Sequence, residues 1–299
     1  MKSIVTGSSG FIGSRLYSYL SKQGINVIGV SRKIKKDSQT DLICNLETDR
    51  LDDQAFAGVS SVFHLAGHAH DLSDPKKLRN SFIKLNIDAT QNLATQSAKN
   101  GVKNFIFIST VKAGLADSGS INDMEDIDNF YGKTKRKAEL ELIKLSEAEN
   151  MKISIVRPSL VYGKQIKGNL LLMKEAIQKG WFPPLPKIQN KRSMVHVDDL
   201  VKAILLVKKK GKNGEIYNVT DGKDYTTTEI YESFYEIIQK SPPKYRVPLL
   251  VLKVLQHTPG KAGHNISKLI GDENYSSSKI KSLGFEAKLR FKDLNETLF

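Results

Sequence analysis

The sequence predicts an α/β protein: a parallel sheet doubly wound by helices, followed by a small C-terminal lobe. Three observations predict it. Short apolar runs alternate with longer helical patterns through the first half of the 299-residue chain, the rhythm of strand–helix–strand units. The runs Val62-Phe63-His64-Leu65 and Phe105-Ile106-Phe107-Ile108 lack strict in/out alternation, as strands covered on both faces do. A glycine-rich turn, Thr6-Gly7-Ser8-Ser9-Gly10-Phe11-Ile12-Gly13, joins the first apolar run to the first helical pattern.

In order, strands are predicted at 2–6, 26–30, 42–45, 61–65, 104–109 and 152–157, with helices near 12–22, 80–100 and 131–150. Gly24 and Gly101 stand where helix C-termini need a left-handed residue. After Pro158 the rhythm changes, and prolines at 183, 184, 186, 242, 243, 248 and 259 punctuate shorter segments. Residues 1–160 are therefore expected to form the dinucleotide-binding core. Residues 161–299 form mostly a substrate-binding lobe, with the chain returning to the core near 192–219. The apolar run 247–254, interrupted by Lys253, is expected to be a helix packed within the protein rather than a membrane contact.

Composition narrows the classes. An apolar fraction of 39% and a charged fraction of 26% are those of a soluble globular protein. No apolar stretch reaches the ~18 residues that span a bilayer, so no membrane insertion is expected. Met1-Lys2-Ser3-Ile4-Val5 runs directly into the glycine turn, which predicts no signal peptide and a cytoplasmic enzyme. The single cysteine, Cys44, excludes an intramolecular disulfide, and its neighbours Leu42 and Ile43 predict burial. The net charge of +14 is spread along the chain, with clusters at 33–36 and 208–210. No nucleic-acid-binding motif accompanies it, so no nucleic acid partner is expected; anionic small ligands benefit from the same field.

The glycine turn predicts a dinucleotide site. Gly7, Gly10 and Gly13 allow a tight turn, close backbone approach to a pyrophosphate and close helix–strand packing, while the helix N-terminus offers free N–H groups. This is the Rossmann arrangement. A ribose 2′-hydroxyl would be read by a carboxylate at the end of the second strand. The sequence instead has Val30-Ser31-Arg32-Lys33. Ser31 and Arg32 suit a 2′-phosphate, with the guanidinium as a bidentate clamp; the other reading is a solvated basic loop. The expected cofactor is NADP, with NAD as the alternative.

Tyr131-Gly132-Lys133-Thr134-Lys135 puts a tyrosine and a lysine four apart, on one face of a helix. A phenol with reference pKa near ~10 needs a nearby cation to act as a base at neutral pH, and Lys135 is placed to supply it. Ser109-Thr110 at the end of the preceding strand adds a hydroxyl for the reacting oxygen.

These motifs, taken in order, resemble the extended short-chain dehydrogenase/reductases of the nucleotide-sugar epimerase/dehydratase family. The likeness runs almost end to end. It comprises the Thr6–Gly13 turn, His64-Leu65-Ala66-Gly67, Leu85-Asn86-Ile87-Asp88-Ala89-Thr90, residues 105–110 and 131–135, Arg157-Pro158-Ser159-Leu160-Val161-Tyr162-Gly163, and Arg192-Ser193-Met194-Val195-His196-Val197-Asp198-Asp199. The resemblance implies Tyr131 as acid/base, Lys135 as the partner that lowers its pKa, Thr110 as the catalytic hydroxyl and Asn86 as support for the hydrogen-bond network. It implies that Gly7, Gly10, Phe11, Ile12, Gly13, Ser31, Arg32, Leu65, Ala66, Gly67 and Pro158 surround the cofactor together with Tyr131 and Lys135. It implies that Asn169, Leu170 and Arg192 join Thr110 and Tyr131 in binding the nucleotide sugar, Arg192 on its diphosphate. A homodimer through the helices at 80–100 and 131–150 follows from the same likeness.

Two departures direct the functional expectation. Ser31 stands where NAD-bound epimerases carry an aspartate, and His68 and His70 lie where a family lysine is missing. The run 64–70 most resembles the branch of UDP-N-acetylhexosamine C4 reductases and epimerases of surface-polysaccharide synthesis. The expected activity is NADPH-dependent reduction at C4 of a UDP-4-keto-6-deoxy-N-acetylhexosamine. A UDP-hexose or UDP-N-acetylhexosamine 4-epimerase is the alternative, and a non-catalytic NADP sensor the third reading. No metal is expected at His64, His68 and His70, and Asp198-Asp199 is expected to cap a helix rather than form a catalytic pair.

Overall fold

The structure, a computed structural model, describes residues 2–33, 41–68, 75–114 and 127–293. Along the chain lie β1 (Lys2–Thr6), α1 (Phe11–Lys22), β2 (Asn26–Ser31), β3 (Leu42–Ile43), β4 (Val59–His64), α2 (Pro75–Ile83), α3 (Ala89–Lys99), β5 (Asn104–Ile108), α4 (Ile127–Ala148) and β6 (Lys152–Pro158). There follow β7 (Leu160–Tyr162), α5 (Asn169–Gln178), β8 (Arg192–His196), α6 (Val197–Lys210), β9 (Ile216–Val219) and β10 (Asp224–Tyr225). The last helices are α7 (Thr227–Ile237), α8 (Leu249–Leu255), α9 (Lys261–Ile270) and α10 (Ser278–Ser282).

The chain divides into two compact units. The first contains Met1–Pro158, Leu200–Val219 and Ser277–Phe285. Its seven-stranded sheet has the order β3-β2-β1-β4-β5-β6-β9 with parallel pairing throughout. Ile4, Val62, Phe105, Phe107, Ile153 and Ile155 are buried along the central strands and form one apolar cluster with Leu93 and Leu142 of the covering helices. Burying each such side chain contributes about 1.5–3 kcal/mol, which is why these strands read as unbroken apolar runs. The strand order reverses between β1 and β4, and in such sheets ligands bind beyond the carboxyl ends of the strands at that switch point. The turns after Thr6 and after His64 leave the sheet side by side there, because Thr6 pairs with His64.

Several boundaries differ from expectation. β2 continues to Ser31, and β3 ends at Ile43 rather than at 45. The single helix expected at 80–100 is a longer helical stretch in two parts: α2 begins at Pro75, and a π-helical turn, Lys84–Asp88, separates it from α3. That turn directs Leu85, Asn86 and Ile87 inward together. A π-turn is a local irregularity often found at functional positions, and apolar periodicity does not register it. Cys44 is buried just beyond β3.

The second unit contains Ser159–Asp199, Thr220–Ser276 and Glu286–Phe299. The segment expected to return to the core is thus divided, with residues 192–199 in this unit and 200–219 in the first. A three-stranded sheet, β10-β8-β7, lies within it. α7 starts with a capping box, Thr226 accepting from the Glu229 backbone N–H and the Glu229 carboxylate accepting in return. Asp199 corrects the capping expectation. It is fully buried and accepts the backbone N–H groups of Lys288 and Leu289, each at 2.8 Å. The run 247–254 includes α8, a helix that buries Leu252 and packs against α9 while leaving Leu250, Val251 and Val254 exposed. No helix among the described residues is long and apolar enough to cross a membrane.

Candidate active site

The glycine turn is built from close contacts. Gly7 has φ +69°, and a Cβ there would lie 2.9 Å from the Ala66 nitrogen. A Cβ on Gly13 would overlap the Gly7 carbonyl, so α1 and the turn approach at a distance only glycine permits. Gly10 caps α1 without a side-chain hydrogen bond, and Phe11 and Ile12 form its first turn. This is the backbone cradle that a pyrophosphate requires at a helix N-terminus. The donor set and the space left by the glycines fit a dinucleotide.

Thr6 and His64 join the turn to the neighbouring loop. Thr6 Oγ1 accepts from the backbone N–H groups of Leu65 and Ala66, both at 3.2 Å, and lies 2.7 Å from His64 Nδ1. The other ring nitrogen, Nε2, lies 2.9 Å from Thr90 Oγ1, which itself donates to the Asn86 carbonyl. With the Thr90 proton so used, the network is consistent when Nε2 carries the imidazole proton and the Thr6 hydroxyl donates to Nδ1. Burial lowers the His64 pKa to about 3, with Lys135 adding to the shift, so the ring is neutral at physiological pH.

Asn86 connects this loop to the helix of Tyr131. Its Oδ1 accepts the His68 N–H at 2.9 Å, and its Nδ2 donates to the His68 carbonyl and to Thr134 Oγ1, each at 3.1 Å. A Cβ on Gly67 would lie 3.0 Å from Asn86 Oδ1 and 3.6 Å from Lys135 Nζ. Gly67, Asn86 and Lys135 therefore meet around a space that a larger residue would fill.

α4 carries Tyr131 and Lys135. Gly132 lets it close onto the turn Val111–Gly114, since a Cβ there would lie 2.7 Å from the Lys112 carbonyl. This approach brings Tyr131 into hydrogen-bonding contact with Thr110. Tyr131 keeps part of its surface open, but desolvation around the hydroxyl pushes its pKa up to about 12, against the Thr110 hydrogen bond that lowers it. Lys135 is buried, with Nζ 4.0 Å from the centre of the Phe107 ring. Burial lowers its pKa to about 7, although Glu139 pulls it upward. At both groups burial is the largest cause of the shift, raising the Tyr131 phenol and lowering the Lys135 ammonium.

Some partners were not singled out from sequence. Glu139, one turn beyond Lys135 and fully buried, accepts from Arg157 Nε at 2.7 Å, Arg157 Nη2 at 2.5 Å and Ser109 Oγ at 2.5 Å. Ser109 is thereby committed to this cluster, leaving Thr110 as the hydroxyl at Tyr131. The Lys135–Glu139 spacing was a legible signal; Arg157 comes from another strand. Glu47 was missed as well. It lies 2.7 Å from His68 Nε2, accepts from Ser81 Oγ at 2.8 Å and stands 3.4 Å from Arg32 Nη1.

The remaining expected residues are placed as follows. Ser31 ends β2, and its hydroxyl donates to the Lys33 carbonyl at 2.9 Å. The Arg32 side chain is 57% exposed. Pro158 ends β6, paired with Val219. Asn169, Leu170 and Arg192 belong to the second unit. Asn169 and Leu170 open α5. Arg192 donates Nε to Thr227 Oγ1 at 3.0 Å and lies 3.3 Å from Glu273. His70, Lys35 and Lys36 lie outside the described residues.

Residues 3–220 match the NAD dependent epimerase/dehydratase family. The chain is 29% identical to a UDP-glucose 4-epimerase of Vibrio cholerae, covering 87% of this chain and 82% of that protein. It is 27% identical to an N-acetyl-alpha-D-glucosaminyl-diphospho-ditrans,octacis-undecaprenol 4-epimerase of Escherichia coli O157:H7, over 95% of this chain and 90% of the relative. The fold also matches the crystal structure of a UDP-glucose 4-epimerase from Thermotoga maritima, with a TM-score of 0.77, 25% identity, and coverage of 98% of this chain and 96% of that one.

Proposed function

Because the chain belongs to the NAD-dependent epimerase/dehydratase family, whose members are enzymes of the extended short-chain dehydrogenase/reductase type, we propose that it is an NADP-preferring reductase acting at C4 of a sugar carried on a nucleoside diphosphate. The observation that carries this reading is the placement of the Tyr131 hydroxyl at Thr110 and one helical turn from buried Lys135, whose Nζ meets the Gly67 loop; a phenol is protonated at neutral pH. A protonated phenol is the state in which a general acid delivers a proton to a carbonyl oxygen. When bound, the nicotinamide supplies the hydride. Tyr131 donates the proton to the C4 oxygen, Thr110 hydrogen-bonds that oxygen, and Lys135 stabilises the tyrosinate left behind.

The Gly7–Gly13 turn, Leu65, Ala66, Gly67 and Pro158 hold the dinucleotide, and Ser31 with Arg32 reads the 2′-phosphate. Among the described residues Arg32 pairs with Glu47 across an exposed 3.4 Å contact, for which a phosphate dianion competes well. Asn169, Leu170 and Arg192 take the sugar diphosphate in the C-terminal lobe, and two copies pair through α3 and α4.

The names of the Vibrio and Escherichia relatives favour a second reading, 4-epimerisation with the cofactor retained. The latter relative also raises a polyprenyl diphosphate as the sugar carrier. One experiment separates the readings. The purified enzyme is given NADPH with a UDP-4-keto-6-deoxy-N-acetylhexosamine, and separately UDP-GlcNAc, while reduced-cofactor absorbance and product identity are followed. The proposal expects one NADPH oxidised per product and little UDP-GalNAc; rapid 4-epimer formation without net cofactor change establishes the epimerase instead.

A further inference from the structure

The second unit carries an apolar surface that the redox chemistry does not use. On α8, Leu250 is 71% and Val254 63% exposed, with Val251 and Leu255 also open. At helical spacing these residues form one stripe. The opposite residue, Leu252, is buried. α9 packs closely against the end of α8, since a Cβ on Gly263 would lie 2.8 Å from the Gln256 carbonyl. The exposed stripe is thus what remains after α8 has made its contacts within the unit. The chain leading into α8 is bonded to another exposed aromatic segment: the Val247 N–H donates to the Pro184 carbonyl at 3.0 Å. Tyr245 and Trp181, close to those two residues in sequence, are 73% and 70% exposed.

Charge decides what covers such a surface. The segment 237–271 contains Lys240, Lys244, Arg246, Lys253, Lys261 and Lys268 and no aspartate or glutamate; Arg246 is paired with Glu232 at 2.8 Å, so the lysines carry the charge of this face. The segment 176–197 contains Lys179, Lys187, Lys191 and Arg192, again without an acidic residue. Lys179, Lys187, Lys240, Lys244 and Lys253 are exposed. A second copy of the chain meeting this face symmetrically would set like charges against each other. A nucleic acid would engage the lysines but leave the leucine–valine stripe in water. An anionic bilayer satisfies both: headgroups meet the lysines, and the acyl boundary takes the apolar stripe, with Trp and Tyr at the headgroup level.

We propose that α8 and the basic segments around it dock the enzyme on the surface of an anionic lipid bilayer, α8 lying in the interface plane without spanning it. Under the second reading above, in which a polyprenyl diphosphate carries the sugar, docking gives the enzyme access to a membrane-embedded substrate. That consequence rests on the second reading, whereas lipid binding rests on neither.

The test is co-sedimentation of the full chain with vesicles, one set of phosphatidylglycerol and phosphatidylcholine in equal parts, the other of phosphatidylcholine alone. The wild type is expected to sediment with the anionic vesicles and much less with the neutral ones. Leu250→Glu/Val254→Glu should reduce partitioning at least tenfold, and Lys244→Gln and Lys253→Gln about fivefold each. Thermal melting of each variant verifies that it is folded, and consumption of a soluble nucleotide sugar should be unchanged. Absence of wild-type binding to anionic vesicles overturns the proposal, as does binding that the folded glutamate variant retains. A stripe that instead holds two copies together, read as a dimer that the glutamate variant dissociates without any vesicle binding, overturns it too.

Discussion

Gly132 and the carbonyl of Lys112 approach so closely that a single added methyl carbon would lie 2.7 Å from the oxygen. This contact sets α4 against the turn after β5, and with it the distance between Tyr131 and Thr110. Gly132→Ala is therefore expected to destabilise the protein by about 1–3 kcal/mol, the scale of overpacking. It should also lower turnover more than cofactor affinity. Urea denaturation and steady-state kinetics on the same variant check both.

Tyr131→Phe keeps the ring and its packing but removes the proton that the proposed reaction needs. Turnover should fall by ~100-fold or more, with the cofactor dissociation constant nearly unchanged. Turnover within a few-fold of the wild type would remove the acid/base assignment.

Lys135 gives a stability signature with a defined sign. Its folded pKa is lowered from 10.5 to about 7, chiefly by burial. Between those values the unfolded chain binds more protons at this residue than the folded one, so its contribution to stability rises with pH across that window. Below about pH 7 both states are charged, and the burial penalty is complete. Lys135→Met should accordingly gain most over the wild type below pH 7, and the difference should shrink toward pH 10.5, measured as urea midpoints of the two proteins in parallel.

Glu139 is buried with Arg157 as its bidentate partner. Arg157→Met leaves that carboxylate with Arg136 Nη1 at 3.2 Å and the Ser109 hydroxyl and should cost ~3 kcal/mol, whereas adding Glu139→Gln should recover part of the loss by removing the charge. Equal stability of the single and double variants would contradict this account.

Arg32→Ala should weaken NADPH binding by ~1–3 kcal/mol, the scale of a charge-assisted hydrogen bond, and barely change NADH binding. Isothermal titration with both cofactors reads the difference. Equal losses would mean that Arg32 serves the fold rather than the 2′-phosphate.

The sequence by itself determined the doubly wound sheet, because a strand buried on both faces has to be written as a continuous apolar run, and Val62–Leu65 and Phe105–Ile108 are. It determined the glycine turn, since a backbone approach like that of Gly13 to Gly7 leaves no room for another residue. It also placed Tyr131 and Lys135 on one helical face, because four residues make about one turn. Tertiary structure alone decided what those groups experience. Burial outweighs neighbouring groups at Tyr131 and Lys135, and the cover of Lys135 includes Phe107 of β5 and the Gly67 loop, far away in sequence. For the same reason Arg157 and Glu139, distant along the chain, became one buried cluster, and Asp199 left its expected capping role for the backbone of Lys288 and Leu289. α8 is the converse case. Its apolar sequence predicts burial, but periodicity states only which residues share a face; whether the fold provides a surface to cover that face is decided by the packing of the whole unit.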